Sequence, residues 1–243
     1  MKRSALIATL ALALLLCCSV CLAEEAKPET FTSGDYQYVL LEDGTAEIIA
    51  YTGEEAEVSI PDVLDGVKVT ALGHSAFYNR DSLTGITIPD GITKMDGNPF
   101  RACRHLDTIS VSPDHPRYAV IDNVLFKKNT RALVCYPAGK AETDYAVPEG
   151  ITAIGQDAFS NCYNLITVAI PDTVCTINSF AFFSCANLVS LNIPDSVTEI
   201  RQFVFDYCYE LMLTVGRDSY AQQYCEENGL RYTHPDSPDW LHN

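Results

Sequence analysis

Cysteines at regular spacing are the residues of this sequence with the clearest capacity for chemistry. Of the ten cysteines in the chain, Cys162, Cys185 and Cys208 recur at one constant spacing, and Cys103 holds the same place in an earlier segment. Thiolates can ligate zinc, but zinc sites usually draw their ligands from C-x-x-C pairs and neighbouring histidines. These four cysteines form no such pair, and the five histidines are scattered. We therefore predict no metal site and no cofactor.

One serine lies in a segment similar to the active-site turn of a serine hydrolase. Residues 73–77 read Gly-His-Ser-Ala-Phe, which matches part of the G-x-S-x-G turn. The closing glycine is absent, and the same place in a later segment reads Gly155-Gln156-Asp157, so the serine falls at an ordinary repeat position. No acidic pair suited to glycoside cleavage recurs beside aromatic residues. We predict no catalytic residues, and an extracellular hydrolase is a remote alternative.

Aspartates that directly follow a proline are a third candidate site. They recur once in each of four segments, at Asp62, Asp90, Asp172 and Asp195. Aspartate is a common turn residue because its side chain hydrogen-bonds nearby backbone groups, whereas a row of carboxylates could bind calcium. The turn interpretation is favoured over the calcium row.

All three groups of residues belong to an internal repeat. Five copies are marked by Phe77, Phe100, Phe159, Phe182 and Phe205. The interval between consecutive copies is constant, except that a longer one separates Phe100 from Phe159. Regular self-similarity at a period of about 23 residues is typical of solenoid proteins.

Each copy has the form V-x-x-I-x-x-x-A-F-x-x-C-x-x-L-x-x-(V/I)-x-I-P, most clearly in residues 151–172. Val168 and Ile170 alternate with small outward residues, which predicts one short strand, and Pro171 ends its hydrogen-bond ladder. The A-F-x-x-C-x-x-L part spaces apolar residues three and four apart, which indicates a helical or 3₁₀ turn. A single coil cannot bury its own apolar face, so the coils must stack.

This pattern resembles the BspA-like leucine-rich repeats of bacterial surface proteins, over roughly residues 36–232. The predicted fold is an α/β-type leucine-rich repeat solenoid. It has one short parallel strand per coil of about 23 residues, with short helical or 3₁₀ turns opposite. An N-terminal β-hairpin and a C-terminal helix are expected to cap it. The resemblance implies an adhesion-type role.

Stacking also bears on the cysteines. Equivalent residues of adjacent coils would lie about 5 Å apart, within the Cα range of a disulfide, but their parallel Cβ directions oppose the bridge geometry. Buried thiols that act as small apolar side chains are favoured, and ladder disulfides remain the alternative. Cys135, Cys175 and Cys225 cannot be paired from the sequence.

The remaining segments give a domain order. Lys2 and Arg3 precede an apolar run, which predicts an export signal, although an uncleaved anchor or a lipidated N-terminus is also open. Asp43-Gly44 predicts a hairpin, and Ser219 can begin a helix that ends at Gly229. The predicted parts are a signal peptide at 1–23, a flexible leader at 24–33, the repeat domain at 34–232 and a loose tail at 233–243. Within the domain we predict a cap hairpin at 34–60, a hairpin insertion at 113–147 and a C-terminal cap at 217–232.

Two surfaces are candidates for binding. The first is the outward face of the strands, which carries small, weakly polar side chains at Thr87, Thr108, Ser110, Thr167, Ala169, Ser190 and Asn192. The second is the basic tip of the hairpin insertion, with Lys127, Lys128 and Arg131, although a solvated turn is the simpler interpretation.

The negative net charge of the chain disfavours some classes of binding partner. Loss of the signal peptide would remove Lys2 and Arg3 and take the formal net charge from −16 to −18, which disfavours nucleic acid and anionic membranes as partners. No membrane insertion is expected after signal cleavage. We predict a secreted or cell-surface module that binds a protein or glycan partner without catalysis, or alternatively a structural element of the cell envelope. The sequence does not specify the oligomeric state.

Overall fold

The chain winds into a solenoid whose coils stack along one axis. The structure is a computed structural model that describes residues 28–236. The predicted signal peptide, the first part of the predicted leader and the last part of the predicted tail lie outside the described residues. Within 28–236, no helix is long and apolar enough to cross a lipid bilayer.

Three antiparallel strands cover the N-terminal end of the stack. They are β1 (Thr30–Ser33), β2 (Tyr36–Leu40) and β3 (Ala46–Tyr51). β2 and β3 pair across Asp43-Gly44, where the sequence predicts a hairpin, and Gly44 has the positive φ of 78° that this turn requires. The prediction of a flexible leader is wrong for residues 30–33, because β1 pairs with β2 along its whole length.

The first two copies of the repeat follow this meander. Their strands are β4 (Glu57–Ser59), β5 (Val63–Leu64), β6 (Val67–Leu72), β7 (Gly85–Ile88), β8 (Lys94–Met95) and β9 (Thr108–Val111). On one side of the coils, β4, β7 and β9 form a parallel sheet. On a second side, β3, β6 and β8 also pair in parallel. The structure therefore adds a second strand, at the V-x-x-I part of the repeat, to the one predicted for each coil.

The segment inserted between copies two and three forms a second meander, and not the two-stranded hairpin predicted there. The strands of this region are β10 (Tyr118–Ile121), β11 (Val124–Lys127), β12 (Ala132–Cys135) and β13 (Asp144–Ala146). The apolar run from residue 120 to 126 does not form one strand of a hairpin, because Asp122 and Asn123 both have positive φ and form a tight turn within it. β10, β11 and β12 are antiparallel, and β12 pairs in parallel with the next coil.

The second meander repeats the first. Residues 39–51 (VLLEDGTAEIIAY) and 124–136 (VLFKKNTRALVCY) align without a gap. In both, the last strand joins the second side of the coils, and a tyrosine at its end donates its backbone N–H to the next coil. Tyr51 donates to Ala76 at 2.7 Å and Tyr136 to Ala158 at 2.8 Å. The chain thus contains two arrays of coils, each starting with its own cap.

The second array contains three repeat copies and the C-terminal cap. Its elements are β14 (Ala153–Ile154), β15 (Thr167–Ala169), β16 (Thr176–Ile177), β17 (Ser190–Ile193), β18 (Glu199–Ile200), β19 (Met212–Val215), α1 (Tyr220–Asn228) and β20 (Tyr232–Thr233). β13, β15, β17, β19 and β20 form one parallel sheet, and β14, β16 and β18 continue from β12.

The C-terminal helix begins and ends where the sequence predicts. The Ser219 side chain accepts a hydrogen bond from the backbone of Gln222, and Gly229 ends α1 in the left-handed conformation. The loose tail predicted from residue 233 is wrong at its start, because Thr233 pairs with Thr214 and Asp236 forms an ion pair with Arg217 at 3.0 Å.

Turns on the third side of each coil carry the A-F-x-x-C segment. In copy three, Cys162 donates its backbone N–H to Phe159 within the coil, while Phe159 donates to Ala181 of the next coil at 2.7 Å. Asp157 and Asn161 have positive φ, so the segment is a series of tight turns and not a continuous helix. We call this the turn side.

Two aromatic stacks run through the interior of the turn side. In the first array Tyr51, Phe77 and Phe100 follow one another with ring centroids 5.0 and 5.5 Å apart. In the second, the stack is formed by Tyr136, Phe159, Phe182 and Phe205, with spacings of 5.4, 4.8 and 5.8 Å. The buried residues also fall into two clusters, which meet at the second meander.

A buried carboxylate joins the two arrays across this boundary. Asp157 of the second array is fully buried, and its Oδ2 lies 2.8 Å from Nε2 of His74 in the first array. Its Oδ1 faces the Arg101 guanidinium at 3.5 Å, and the Asn98 amide donates to its backbone carbonyl at 3.0 Å. A Cβ at Gly97 would lie only 3.0 Å from the His74 ring, so glycine at this position leaves room for the imidazole against the backbone.

The repeat cysteines are thiols. All seven cysteines between residues 28 and 236 are unpaired, so none of the ladder disulfides left open by the sequence is formed. The thiols of Cys103, Cys185 and Cys208 each donate to the carbonyl of a stacked phenylalanine one coil earlier, at 2.9 to 3.0 Å. Each thiol thereby satisfies a main-chain acceptor beside a tight turn.

Removal of the Asp157 charge is expected to destabilise the protein. Asp157→Asn leaves Arg101 without its carboxylate in a partly buried position, which should lower the free energy of unfolding by about 1–3 kcal/mol. Urea denaturation measures the loss, and Asp195→Asn, at an exposed turn, serves as the control. Equal midpoints for the two variants would contradict a stabilising role for the buried pair.

Thiol reactivity should separate buried from exposed cysteines. Burial raises the pKa of Cys103 to about 12 and that of Cys225 to about 11, so few of these thiols ionise at pH 8. Cys175 is exposed. Iodoacetamide at pH 8 should therefore label Cys175 first in the native protein, and Cys103 and Cys225 only after denaturation, as measured by peptide mass spectrometry. Rapid labelling of Cys103 in the native protein would contradict this expectation, because it would show that iodoacetamide reaches the core around this thiol.

Candidate binding surfaces

The predicted strand face points outward but is not continuous. Thr87, Ser110, Ala169, Ser190 and Asn192 are exposed, as the alternation requires. The remaining two members, Thr108 and Thr167, are half-buried. The residues fall on two separate sheets, because the second meander interrupts the pairing after β9. As a binding face it stays a prediction, now divided between the two arrays.

Hydrogen bonds already engage part of this face. Thr167 donates to the Asp144 carboxylate on the neighbouring strand, as does Thr143, and these bonds lower the pKa of Asp144. A Cβ at Gly85 would overlap the Glu57 carboxylate, so glycine at that place leaves room for an acidic side chain. The face is weakly polar and carries negative charge at its edge.

Exposed aliphatic residues border the strand face in the second array. Ile166, Val189 and Met212 occupy the same repeat position and are 42, 46 and 37 % exposed. Backbone hydrogen bonds of 2.8 to 2.9 Å connect Val189 to Ile166 and Met212 to Val189. The same position holds Thr84 and Asp107 in the first array. We call Ile166, Val189 and Met212 the aliphatic row.

The predicted basic tip is engaged within the protein at one of its three cations. The Lys128 ammonium donates to the His115 carbonyl at 2.7 Å. Lys127 is the last residue of β11 and lines a cleft of about 210 Å³ together with Glu47 and Asp96. Arg131 is exposed, with a φ of 48°. As a binding surface the tip stays a prediction, with Lys128 held by a hydrogen bond and Arg131 exposed.

The acidic positions of the four coils lie in exposed turns. Asp62, Asp90, Asp172 and Asp195 are all exposed, one in each of four turns. Between residues 28 and 236, no group of three His, Cys, Asp or Glu side chains could hold a metal ion. These aspartates occupy turns, as the sequence favours.

An exposed aromatic cluster lies on the turn side of the last two coils. It runs from Phe203 through Phe180 and Phe183 to Tyr207 and Tyr209, with successive ring centroids 5.2, 5.7, 5.0 and 6.2 Å apart. Phe203, Tyr207 and Tyr209 are 50, 54 and 71 % exposed. We call these five residues the aromatic platform. Tyrosine and other aromatic residues are common anchors of protein interfaces.

The backbone conformation at three positions of the platform is unfavourable for aromatic residues. Phe180, Phe203 and Tyr207 have φ near 60°, a region that asparagine and aspartate tolerate better than aromatic residues do. Earlier copies have Asp157 and Asn161 at these places. Burial does not offset the strain at Phe203, which is half-exposed. Strained residues of this kind are concentrated at functional sites.

Clefts continue from the platform toward the C-terminal helix. One, of about 380 Å³, is lined by Phe203, Asp206 and Tyr224, and another, of about 700 Å³, by Gln202, Tyr220 and Glu227. Burial, with a smaller contribution from Asp206, raises the pKa of Tyr224 to about 12. The platform therefore adjoins a partly polar groove at the end of the solenoid.

Sequence reasoning missed both the aromatic platform and the aliphatic row. The signal was present in the repeat alignment, because positions that hold Ser, Asp, Asn or Thr in early copies change to Phe, Tyr, Ile or Val in later ones. Phe180 and Phe203 replace Asp157, and Ile166 and Val189 replace Thr84. A comparison of each repeat position along the chain would have found them.

The chain matches one protein family over most of its length. The family is described as "BspA type Leucine rich repeat region", and six copies of its repeat match residues 54–134 and 138–215. Among curated proteins, no match was found.

Solved structures with a similar fold come from bacteria. A leucine-rich repeat protein from Eubacterium ventriosum ATCC 27560 has a TM-score of 0.58 at 20% identity, over 79% of this chain and 73% of that one. A leucine rich cell surface protein from Faecalibacterium prausnitzii A2-165 has a TM-score of 0.44 at 20% identity, over 88% of this chain and 97% of that one. The first of these supports the leucine-rich repeat fold.

Replacement of Phe203 should change stability far less than replacement of the phenylalanine stacked inside. Phe203→Asn removes a half-exposed ring and relieves the positive-φ strain, so the free energy of unfolding should change by less than about 1 kcal/mol. Phe182→Ala, at a fully buried position, should cost about 3–5 kcal/mol. Urea denaturation compares the two. A large loss from Phe203→Asn would show that the ring is structural.

Proposed function

Because the chain belongs to the BspA-type leucine-rich repeat family, we propose that it acts by binding a protein partner outside the cell. The match to that family confirms the resemblance identified in the sequence. Catalysis is not part of the proposal, since repeat positions account for the serine and the carboxylates that could have carried it.

The aliphatic row is the observation that carries the proposal. Ile166, Val189 and Met212 are held at fixed spacing on the rigid coils, beside weakly polar strands. Exposed apolar side chains in a contiguous row favour contact with an apolar partner surface. Rigid presentation also lowers the entropic cost of binding.

A protein fits this surface better than a glycan does. Glycans present mainly hydroxyl groups, and burial of a hydroxyl against aliphatic side chains leaves its hydrogen bonds unmade. A protein partner can supply apolar side chains for the row and polar groups for the strand face.

Export is supported by the N-terminal sequence. Lys2 and Arg3, the apolar run that follows and the small-residue site before Glu24 match a secretory signal. We propose display at the bacterial cell surface or secretion. Fractionation followed by N-terminal sequencing tests this, and a cytoplasmic protein with an intact N-terminus would contradict it.

Loss of the aliphatic row should abolish partner capture. We expect the triple variant Ile166→Ser, Val189→Ser and Met212→Ser to lose at least tenfold in retention of proteins from the native surroundings, because about 1–2 kcal/mol of apolar burial is lost at each site. Quantitative pull-down with the purified mature chain measures this. The matched control is Leu40→Ser with Val63→Ser, at 47 and 52 % exposed positions of the first array.

Three outcomes separate the alternatives. Protease treatment of the captured material should abolish retention, and periodate oxidation of glycans should not. Protein retention could also persist in the aliphatic-row variant and be lost in the triple variant Lys127→Ser, Lys128→Ser and Arg131→Ser. That result would place the binding site at the hairpin tip. Recovery of no protein above background would contradict the proposal and favour a structural element of the envelope.

A further inference from the structure

Two unpaired carboxylates lie next to the aromatic platform. Asp206 and Glu210 are exposed beside Tyr207 and Tyr209. Within residues 28–236, neither carboxylate takes part in a salt bridge or a side-chain hydrogen bond. The platform therefore combines exposed ring faces with unpaired negative charge.

The arginines at this end of the solenoid are engaged elsewhere. Arg201 pairs with Glu199 at 2.9 Å, and Arg217 pairs with Asp236 at 3.0 Å. Arg231 donates to the backbone carbonyl of Glu210 at 2.8 Å. These guanidinium groups already have acceptors, so a cation that joins the platform would have to come from another molecule.

Elsewhere the chain covers two tyrosines with its own arginines, and one of them, Tyr163, occupies the repeat position of Tyr209. Arg104 and Tyr163 each directly follow a repeat cysteine, and the Arg104 guanidinium lies 5.3 Å from the centre of the Tyr163 ring. Arg101 lies over Tyr78 in the same way, at 5.1 Å. Tyr209 also follows a repeat cysteine, but the residue one coil before it is Ala186.

We propose that the aromatic platform binds a protein segment that carries lysine or arginine next to apolar side chains. The partner's cation takes the place over Tyr209 that Arg104 takes over Tyr163, and Asp206 and Glu210 attract it. Apolar side chains of the segment pack on the phenyl rings of Phe180 and Phe203. A cation over an aromatic face is favourable, and nearby carboxylates attract the cation to the same place. The net charge of −16 favours the same partner.

This inference rests on the proposed function, in that the partner is a protein, and it adds a second contact to the aliphatic row. It also accounts for the strain at Phe180, Phe203 and Tyr207. Aromatic residues at these positive-φ places strain the backbone, and Phe203 and Tyr207 nevertheless remain half-exposed.

The test uses synthetic peptides and the full mature chain. Fluorescein-labelled peptides of alternating Leu and Arg, Leu and Gln, and Leu and Glu are titrated by fluorescence anisotropy. The arginine peptide should bind tightest, and its affinity should fall as salt is raised from about 50 to about 500 mM. Tyr207→Leu with Tyr209→Leu should weaken it about tenfold, because leucine keeps the apolar area and removes the ring quadrupole.

Further variants control for folding and for simple charge attraction. Tyr209→Leu alone, at a 71 % exposed position, should weaken binding several-fold without a change in thermal midpoint. Tyr220→Leu, at a 41 % exposed position on α1, should leave affinity unchanged. Equal affinity of the three peptides would overturn the proposal. So would a loss confined to Asp206→Asn with Glu210→Gln, since only charge would then matter.

The outcome is distinguishable from that of the proposed function. Protein capture that depends on the aliphatic row, together with no preference for the arginine peptide, would refute the platform and leave the function standing. Arginine-selective binding without any captured protein would support the platform and refute the wider proposal.

Discussion

A coil of this repeat has two apolar edges, and each edge must be covered. Stacking covers the edges between coils and leaves the ends of the stack exposed to water. β1 to β3 cover the first end, and α1 with β20 covers the last. The same constraint explains the region between copies two and three, where the aromatic stack stops at Phe100 and starts again at Tyr136. A second meander lies inside the chain, and the two arrays must then be joined.

Polar groups add to the apolar packing of the second meander at the junction, where the aromatic stack is interrupted. His74 crosses over Gly97 to reach Asp157, and Arg101 approaches the same carboxylate. A buried ion pair is a weak source of net stability, but its geometry is specific. Its geometry therefore favours one register of the second array on the first, while apolar packing supplies most of the stability within each array.

Much of the fold follows from the sequence, for a physical reason. The constant repeat period, the strand alternation and the Ser219 and Gly229 caps are local patterns, and local patterns are directly visible in the chain. The hairpin predicted at residues 113–147 is wrong in detail because Asp122-Asn123 lies inside an apolar run that reads as one strand. The contact of Asp157 with His74 joins residues 83 positions apart, which no local pattern encodes. The binding surfaces were harder to predict from the sequence than the fold. From the sequence we predicted the strand face and the cations of the tip as binding surfaces. The exposure of Tyr209 and Val189 became visible only in the structure.

The internal cap gives the molecule two places where folding can begin. Coils of a solenoid contact only their neighbours, so folding starts at a nucleus and spreads along the axis. Each array here contains its own start, with local antiparallel strands of short loop length, such as β2–β3 and β11–β12. Short loops close quickly and cost little entropy. Under a pulling force from the two ends, we expect the boundary between the two arrays to open first and each array then to unfold as a separate step. A chain of this design would extend under load in two stages.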